Sequence, residues 1–423
     1  MSTPGRRAAH RAPARALLAE AEALQAGTVA LRRRLHRRPE LGLDLPQTQA
    51  AVLSSLDDLS LTTVLGTGCT SIVAVVEGSR PGPSVLLRAD MDALPLPETT
   101  GLDDASEIPG RMHACGHDLH TAMLASAARL LSARRDDLAG RVVLAFQPGE
   151  ENAHGARTML AEGLLAVGAA GGAGPPESAM ALHVTSRLPS GVLQTRPEAI
   201  MASSDDVVVT VTGRGGHASA PHDALDPVPA AAAMVGALHT MITRRVDAFQ
   251  PVVLTVAHLT AGTTTNVIPE VATLAGTVRT LSEPTRARVL AEVHRVCQGT
   301  AAAYGCTATV DIDPGYPVTV NDAGVAERVA DVARSVLGSQ SVEPMPDPIM
   351  GSEDFSYVLE QLPGALAFLG ACPPDVDPTD APPNHSNRVV FDEQAMIAGV
   401  ALYAGFALDA LHPDRDPRPG ARW

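Results

Sequence analysis

The chain has 423 residues, 45% of them hydrophobic and 19% charged, and carries a formal net charge of −15 at pH 7. That length allows two or three domains with a full-sized core, and the acidic balance argues against nucleic acid and anionic membranes as partners. Every one of the 32 basic residues is arginine, which excludes a P-loop, Schiff-base chemistry and lysine-bound pyridoxal phosphate.

The N-terminal stretch MSTPGRRAAHRAPARALLAEAEAL lacks a continuous apolar core, so it reads as a short tail entering a helix and not as a signal peptide. Apolar spacing predicts that helix over Ala14–Leu35, ended by Pro39, and a second over Gln47–Leu59. Strands follow at Ser71–Glu77 and Val85–Ala89, the latter running into Asp90-Met91-Asp92. Gly116 opens the amphipathic helix HDLHTAMLASAARLLSA, and Arg141–Phe146 reads as a buried strand. A helix over Gly155–Glu162 and the strand Ala179–Val184 continue the alternation, which implies a mainly parallel sheet covered by helices.

From Met201 the pattern changes. Strand Asp206–Thr212, helix Pro227–Val246, strands Val252–Leu259 and Val271–Thr280, helix Glu283–Ala303 and strand Cys306–Ile312 give the order β-α-β-β-α-β, a ferredoxin-like insertion. After Pro314-Gly315 the α/β pattern resumes with helix Ala323–Leu337, the strand ALAFLG and a last helix over Glu393–Leu411, before a tail that reads as disordered. The expected organisation is therefore a discontinuous catalytic domain over 1–200 and 315–423, with a lid or dimerisation domain over 201–314. No apolar stretch is long enough to span a bilayer, and no period of 20–50 residues repeats.

Chemistry concentrates in two polar clusters, each following an apolar run: MHACGHDLHT at Met112–Thr121 and FQPGEE at Phe146–Glu151. Cys115, His117, Glu150 and Glu151 are the side-chain types that bind zinc and its neighbours, and loops at strand carboxyl ends form the usual crevice of an open α/β sheet. His183 closes a third strand. Two plain surface loops would be a poor account of one Cys and three His within eight residues. Neighbours in an extended segment point apart, so one of Glu150 and Glu151 is free for proton transfer, and spacing alone leaves open which. The five cysteines, Cys69, Cys115, Cys297, Cys306 and Cys372, are too scattered for a disulfide framework and suit a reducing cytoplasm.

The elements RRRLHRRPELG, RADMDALPLPE, MHACGHDLHTAML, FQPGEE, ALHV, GRGGHASAPH, GSEDF and NHS, in that order, resemble the aminoacylase/carboxypeptidase-type dinuclear metallohydrolases. The resemblance is to the subfamily of hippurate hydrolases and auxin–amino acid conjugate hydrolases, and it covers nearly the whole chain. It implies two divalent metal ions per subunit, zinc by preference with manganese or cobalt as alternatives. By motif the ligands are Cys115, His117, Glu151, His183 and His385, with Glu150 as general base. Asp92 matches the family carboxylate that orients a ligand imidazole. His217 matches a histidine that reaches a neighbouring subunit's site and polarises the scissile carbonyl. Asn266, Arg279 and Gly351 match positions near the substrate's carboxylate end. Asp90, His113, Asp118 and His120 read as hydrogen-bonding partners, and Leu119 stands where relatives usually carry Gly.

The function implied is a cytoplasmic amidohydrolase that cleaves N-acyl amino acids to a free amino acid and a carboxylic acid, working as a homodimer or homotetramer. The alternatives on the same scaffold are a dipeptidase, an aminopeptidase or an N-carbamoyl amino acid hydrolase. A binding protein that kept the fold is the alternative outside enzymes, and the intact Glu150 and ligand set speak against it. A cysteine hydrolase built on Cys115 lacks a third triad member.

Overall fold

The structure, a computed structural model, describes residues 11–167 and 174–412. The N-terminal tail expected before residue 11 and the C-terminal tail expected after His412 lie outside the described residues. The chain divides into two compact units, one built from Met1–Glu198, Val320–Pro346 and Tyr357–Trp423, the other from Ala199–Thr319 and Asp347–Ser356.

The first unit opens with helices α1 (Arg11–Arg37) and α2 (Pro46–Leu56), then strands β1 (Thr62–Leu65), β2 (Ile72–Glu77) and β3 (Arg80–Asp90). Helix α3 (His117–Ala133), strand β4 (Ala139–Gln147), helix α4 (Gly155–Ala161) and strands β5 (Ser178–Pro189) and β6 (Leu193–Thr195) follow. In the second unit come β7 (Asp205–Thr212), α5 (Pro227–Arg245), β8 (Val252–Ala261), β9 (Val271–Thr280), α6 (Glu283–Ala303) and β10 (Thr307–Pro314). The chain then returns to the first unit with α7 (Ala323–Val336), β11 (Val342–Pro344), β12 (Gly364–Cys372) and α8 (Ala395–Ala410).

The first unit is a mixed α/β body around one large sheet ordered β1-β2-β4-β3-β5-β12-β6-β11. Its centre, β4-β3-β5-β12, is parallel, while β1, β2 and β6 join antiparallel. Parallel strands covered on both faces read as unbroken apolar runs. β12 accordingly has every residue buried, and so does β4 from Val142 onward. Helix α8, AMIAGVALYAGFALDA, is apolar on all sides and lies in the core with α3 and α7. Close packing here depends on Gly399, where an added Cβ would overlap the Met123 sulfur. Leu119, the unusual residue of α3, is fully buried in this core.

Several short strands fall outside the expected set, β1 and β6 among them. β1 has all four residues exposed, and β6 spans only Leu193–Thr195. Neither carries the apolar alternation from which a strand is read.

In the second unit the four-stranded sheet is antiparallel throughout, in the order β8-β9-β7-β10. β7 alternates buried and exposed residues, so one face packs on α5 and α6 through Val207, Val209, Leu274, Met234 and Val293. Asp226 caps α5 by accepting from the backbone N–H of Val228 at 2.9 Å.

Candidate metal centre

Because the central strands are parallel, the loops that follow β3 and β4 leave the sheet at the same edge. Asp90 is paired with Gln147 across β3 and β4, and His183 lies two residues beyond Ala181, which pairs with Arg88 of β3. The carboxylates after β3, the Glu150–Glu151 turn after β4 and the imidazole of β5 are thereby brought to one level.

Two groups of side chains converge there, each with ligand atoms within 4.8 Å of one another: Cys115, His117 and His183, and Cys115, Glu151 and His385. Cys115 belongs to both. Its sulfur lies 3.4 Å from His183 Nε2 and 3.3 Å from His385 Nε2. His385 Nε2 is also 3.2 Å from Glu151 Oε1. Glu150 joins from the side, its Oε2 4.0 Å from His117 Nε2. Glu150 and Glu151 lie in a turn and not in an extended segment. That removes the premise that they point apart, since both carboxylates approach His117.

The local backbone explains the motif residues. Gly116, at φ 91°, starts α3, and a Cβ there would overlap Val184. Asn384 donates to the carbonyls of Cys115 at 3.1 Å and Val184 at 3.0 Å. It thus ties the Cys115 loop to strand β5 beside His385, which sits at φ 69°. Asp92 accepts from the backbone N–H groups of Glu150 and Glu151, both at 2.9 Å. Its backbone carbonyl takes the Nδ1 proton of His117 at 2.9 Å, and its carboxylate is farther, at 3.5 Å. Asp92 therefore orients His117 chiefly through its main chain and the paired glutamates through its side chain.

The donor set fits divalent metal ions. A carbonyl can only accept, so His117 Nδ1, bonded to Asp92 O, and His183 Nδ1, bonded to Val184 O at 2.8 Å, both carry the proton. Both imidazoles thus turn Nε2 into the site, the arrangement usual for metal-binding histidine. His117 Nε2 is buried without a hydrogen-bond partner. Such groups are costly unless something pairs them.

The electrostatics agree. Burial and the Glu151 charge push the Cys115 thiol up. Burial works against charge on His117, but Asp90 and Cys115 outweigh it and hold that imidazole well above its ordinary value. Hydrogen bonds to Cys115 and Glu151 push His385 up to about 10, while burial and neighbouring imidazoles hold His183 well below the usual range. A thiolate, imidazoles and carboxylates together suit zinc.

Behind α3 lies a cluster that the motifs do not single out. Asp118 forms an ion pair with Arg32 Nε at 2.8 Å and accepts from His36 Nδ1 at 2.8 Å, and His36 Nε2 lies 3.4 Å from Glu98. Arg32 also pairs with Asp104. The signal in the sequence is Arg32 and His36 at i and i+4 in RRRLHRR, on one helix face. Burial opposes charge on His36, but Asp118 and Glu98 raise it from 6.5 to about 9. A folded-state value above the unfolded one stabilises below the unfolded value and ceases to do so above the folded one. This contribution, about 3 kcal/mol at most by the usual 1.36 kcal/mol per unit, is complete below pH 6.5 and lost as pH passes through about 9. The melting-temperature gap between wild type and His36→Gln should therefore be widest at the acid end of that window and shrink through it. A constant gap would count against a charged His36.

The remaining candidates lie in the second unit. His217 pairs with Val267 in a two-residue ladder, and Asn266 accepts from the Ala218 N–H at 3.1 Å. Asn266 is thereby a neighbour of His217. His217 Nδ1 accepts from the Ser219 N–H at 3.1 Å, so the imidazole presents Nε2–H as a donor. Arg279 donates to the carbonyl of Met350 at 3.2 Å, next to Gly351. These four form two pairs, His217 with Asn266 and Arg279 with Gly351.

Comparison with known proteins agrees with this chemistry. The family described as peptidase family M20/M25/M40 matches residues 86–409, and the chain belongs to that family. It is 35% identical over 384 residues to thermostable carboxypeptidase 2 of Saccharolobus solfataricus, covering 90% of this chain and 94% of that protein. IAA-amino acid hydrolase ILR1-like 4 of Arabidopsis thaliana is 35% identical, covering 90% and 84%. N-acetylcysteine deacetylase of Bacillus subtilis is 34% identical, covering 90% and 96%. Among solved structures, a protein from methicillin-resistant Staphylococcus aureus superposes with a TM-score of 0.86 at 31% identity, covering 93% and 99% of the two chains. The Bacillus subtilis YXEP protein, described as a dinuclear metal binding peptidase from the M20 family, gives 0.78 at 31% identity, covering 92% and 99%.

Proposed function

We propose that the chain is a metal-dependent amidohydrolase that cleaves the amide bond of N-acyl amino acids, consuming water and releasing a free amino acid and a carboxylic acid. The observation that carries this reading is the sharing of Cys115 between two ligand groups, with Glu150 at their side. In it, Cys115, His117 and His183 hold one ion, and Cys115, Glu151 and His385 hold the other. Two divalent cations, zinc or in its place manganese or cobalt, supply the positive charge that polarises an amide carbonyl and makes water nucleophilic near neutral pH. Glu150 takes a proton from the attacking water and returns it to the leaving nitrogen. Asp92 keeps the Glu150–Glu151 turn in place. Arg279 and Gly351 receive the substrate carboxylate, the guanidinium by a paired hydrogen bond, and Asn266 lies near the same end.

The relatives named for acetylcysteine and for indoleacetyl amino acids support N-acyl amino acids as the substrate class. The test is a panel of N-acetyl, N-benzoyl and N-indoleacetyl amino acids beside dipeptides and N-carbamoyl amino acids, each assayed with zinc, manganese and cobalt. Hydrolysis of at least one N-acyl amino acid, abolished by chelator and restored by metal, is expected. Turnover of dipeptides alone would overturn the substrate class.

The same reading takes 201–314 as a ferredoxin-like lid or dimerisation domain inserted in a catalytic domain over 1–200 and 315–423. The β8-β9-β7-β10 order supports the ferredoxin-like description. Edge strand β8 carries the exposed Val253 and Leu259, and Phe249 just before it is 94% exposed. An edge of that kind needs a cover, and a second copy would provide one in a homodimer, the building block of a homotetramer. His217 would then donate its Nε2–H to the developing oxyanion in the partner copy, where losing one donor typically costs about 10²–10³ in turnover. Mixing inactive His217→Ala with inactive Glu150→Gln under subunit exchange should restore activity, since one site of each mixed dimer keeps both residues. Exchange without recovery would place His217 outside the partner's reaction. No described helix is long and apolar enough to cross a membrane, and five free cysteines support a cytoplasmic setting.

A further inference from the structure

Beside the two ligand groups lie Asp90 and His120, both fully buried and neither used in the chemistry above. With His117 they form a third cluster whose ligand atoms come within 4.8 Å of one another. By composition it looks like a cation site. Its hydrogen bonds exclude that role for His120. His120 Nε2 lies 2.7 Å from the backbone nitrogen of Val184. A backbone N–H can only donate, so Nε2 is the acceptor and the proton of the neutral imidazole sits on Nδ1. That proton goes to Asp90 Oδ1 at 2.6 Å. Both ring nitrogens are committed, and no lone pair remains for a metal.

Asp90 is fixed in turn. Its second oxygen accepts from Arg88 Nη1 at 2.7 Å, and buried Arg88 also donates from Nε to Gln147 at 2.9 Å. The far end of this chain of hydrogen bonds is Val184, the residue after His183. The Val184 N–H goes to His120, and its carbonyl accepts from His183 Nδ1 and from Asn384 Nδ2. The peptide that sets the tautomer and aim of His183 is thus held from behind by His120. The other ligand group has separate supports. Glu151 is held through its N–H by Asp92, and His385 through its own N–H by the carbonyl of Ala114.

We propose that Asp90 and His120 are positioning residues for one half of the metal centre: they lock the Val184 peptide so that His183 meets Cys115 and His117, while the Glu151–His385 half stands without them. This rests on the reading that the two groups hold metal ions. The removal of such a buried partner typically weakens metal binding about 10–100-fold.

The experiment measures zinc bound per full-length chain after equilibrium dialysis, with chelator competition for each ion. Wild type, His120→Leu and His120→Gln are compared. A glutamine amide offers one donor and one acceptor at about the spacing of the imidazole nitrogens, so it can bridge Asp90 and the Val184 N–H as histidine does. Wild type should bind two zinc ions. His120→Leu should keep one at wild-type affinity and hold the other about 10–100-fold more weakly. His120→Gln should recover the second. Full retention of both ions in His120→Leu, or equal weakening of both, would overturn the proposal, as would failure of His120→Gln to improve on His120→Leu. Wild type that binds no zinc would instead sink the metal reading itself.

A second measurement needs no metal. In metal-free protein labelled with ¹⁵N-histidine, His120 should show a proton-bearing Nδ1 and an unprotonated Nε2, with His120→Gln providing the assignment. The opposite tautomer, or rapid exchange between the two, would show that Val184 is not held in this way.

Discussion

Glu150→Gln is expected to lower turnover by at least the 10²–10⁴-fold typical of a lost general base, while the chain keeps its full metal content. The two side chains have the same shape, but an amide cannot accept a proton from water at neutral pH. The turn keeps its main-chain anchor in the variant, the Glu150 N–H bonded to Asp92 at 2.9 Å. Glu150 is nearly buried, at 6% exposure, so the substitution changes chemistry without opening a cavity. The measurement is kcat on the best N-acyl amino acid beside bound metal per chain. Glu151→Gln is the control, since Glu151 Oε1 lies among the ligand atoms, 3.2 Å from His385 Nε2. That variant should lose metal. Substantial turnover in Glu150→Gln, or metal loss equal to that of Glu151→Gln, would remove Glu150 from the role of base.

How much of the fold is legible in the sequence depends on whether the signal is local. The helices His117–Ala133 and Glu283–Ala303 and the strand Val271–Thr280 begin and end where periodicity and the flanking residues put them. Their patterns are long and their ends carry Gly116 or Pro284. The strands Thr62–Leu65 and Leu193–Thr195 leave no such trace, because they are short elements held by pairing with neighbours, the first at the sheet edge and the second between two strands. Boundaries elsewhere differ by a few residues, as with β5, which runs to Pro189 beyond the apolar run. Its last residues are held by pairing with β12.

At the site, residue types point to a metal, but hydrogen-bond direction does not appear in the sequence. His117 and His120 stand three residues apart in one motif, and it is the resemblance, not spacing, that separates them in the sequence. The ring partners give the physical reason: His117 gives its Nδ1 proton to a carbonyl and turns Nε2 to the site, whereas His120 spends both nitrogens. The Arg32–His36–Asp118 cluster is hidden for a related reason, since its partners are separated by about 80 residues of chain. The Glu150–Glu151 pair departs from expectation through local geometry. An extended segment is the natural expectation after a strand, and the chain instead turns immediately after Gly149, at φ 72°.

Cys115→Ala should cost the chain both metal ions, a larger loss than any other single ligand substitution. The reason is topological: Cys115 is the one member common to the two ligand groups, while His183 and His385 each serve a single group. His183→Ala and His385→Ala should therefore each leave one ion in place, and Cys115→Ala should leave neither at wild-type affinity. Cys115→Ser should fall between, because an alcohol keeps a donor atom but is far less acidic than a thiol. Alkylation supplies the second measurement. Thiolate bound to metal is shielded, so Cys115 should react more slowly in the loaded protein than after chelation. The other four cysteines provide the internal reference. All are buried, and burial raises each of their thiols, Cys297 to about 12. Cys69, Cys297, Cys306 and Cys372 lie outside both ligand groups, so metal should leave their reactivity unchanged. If Cys115→Ala retained one ion at wild-type affinity, or if Cys115 were alkylated equally fast with and without metal, the sulfur would not bridge the two halves of the site.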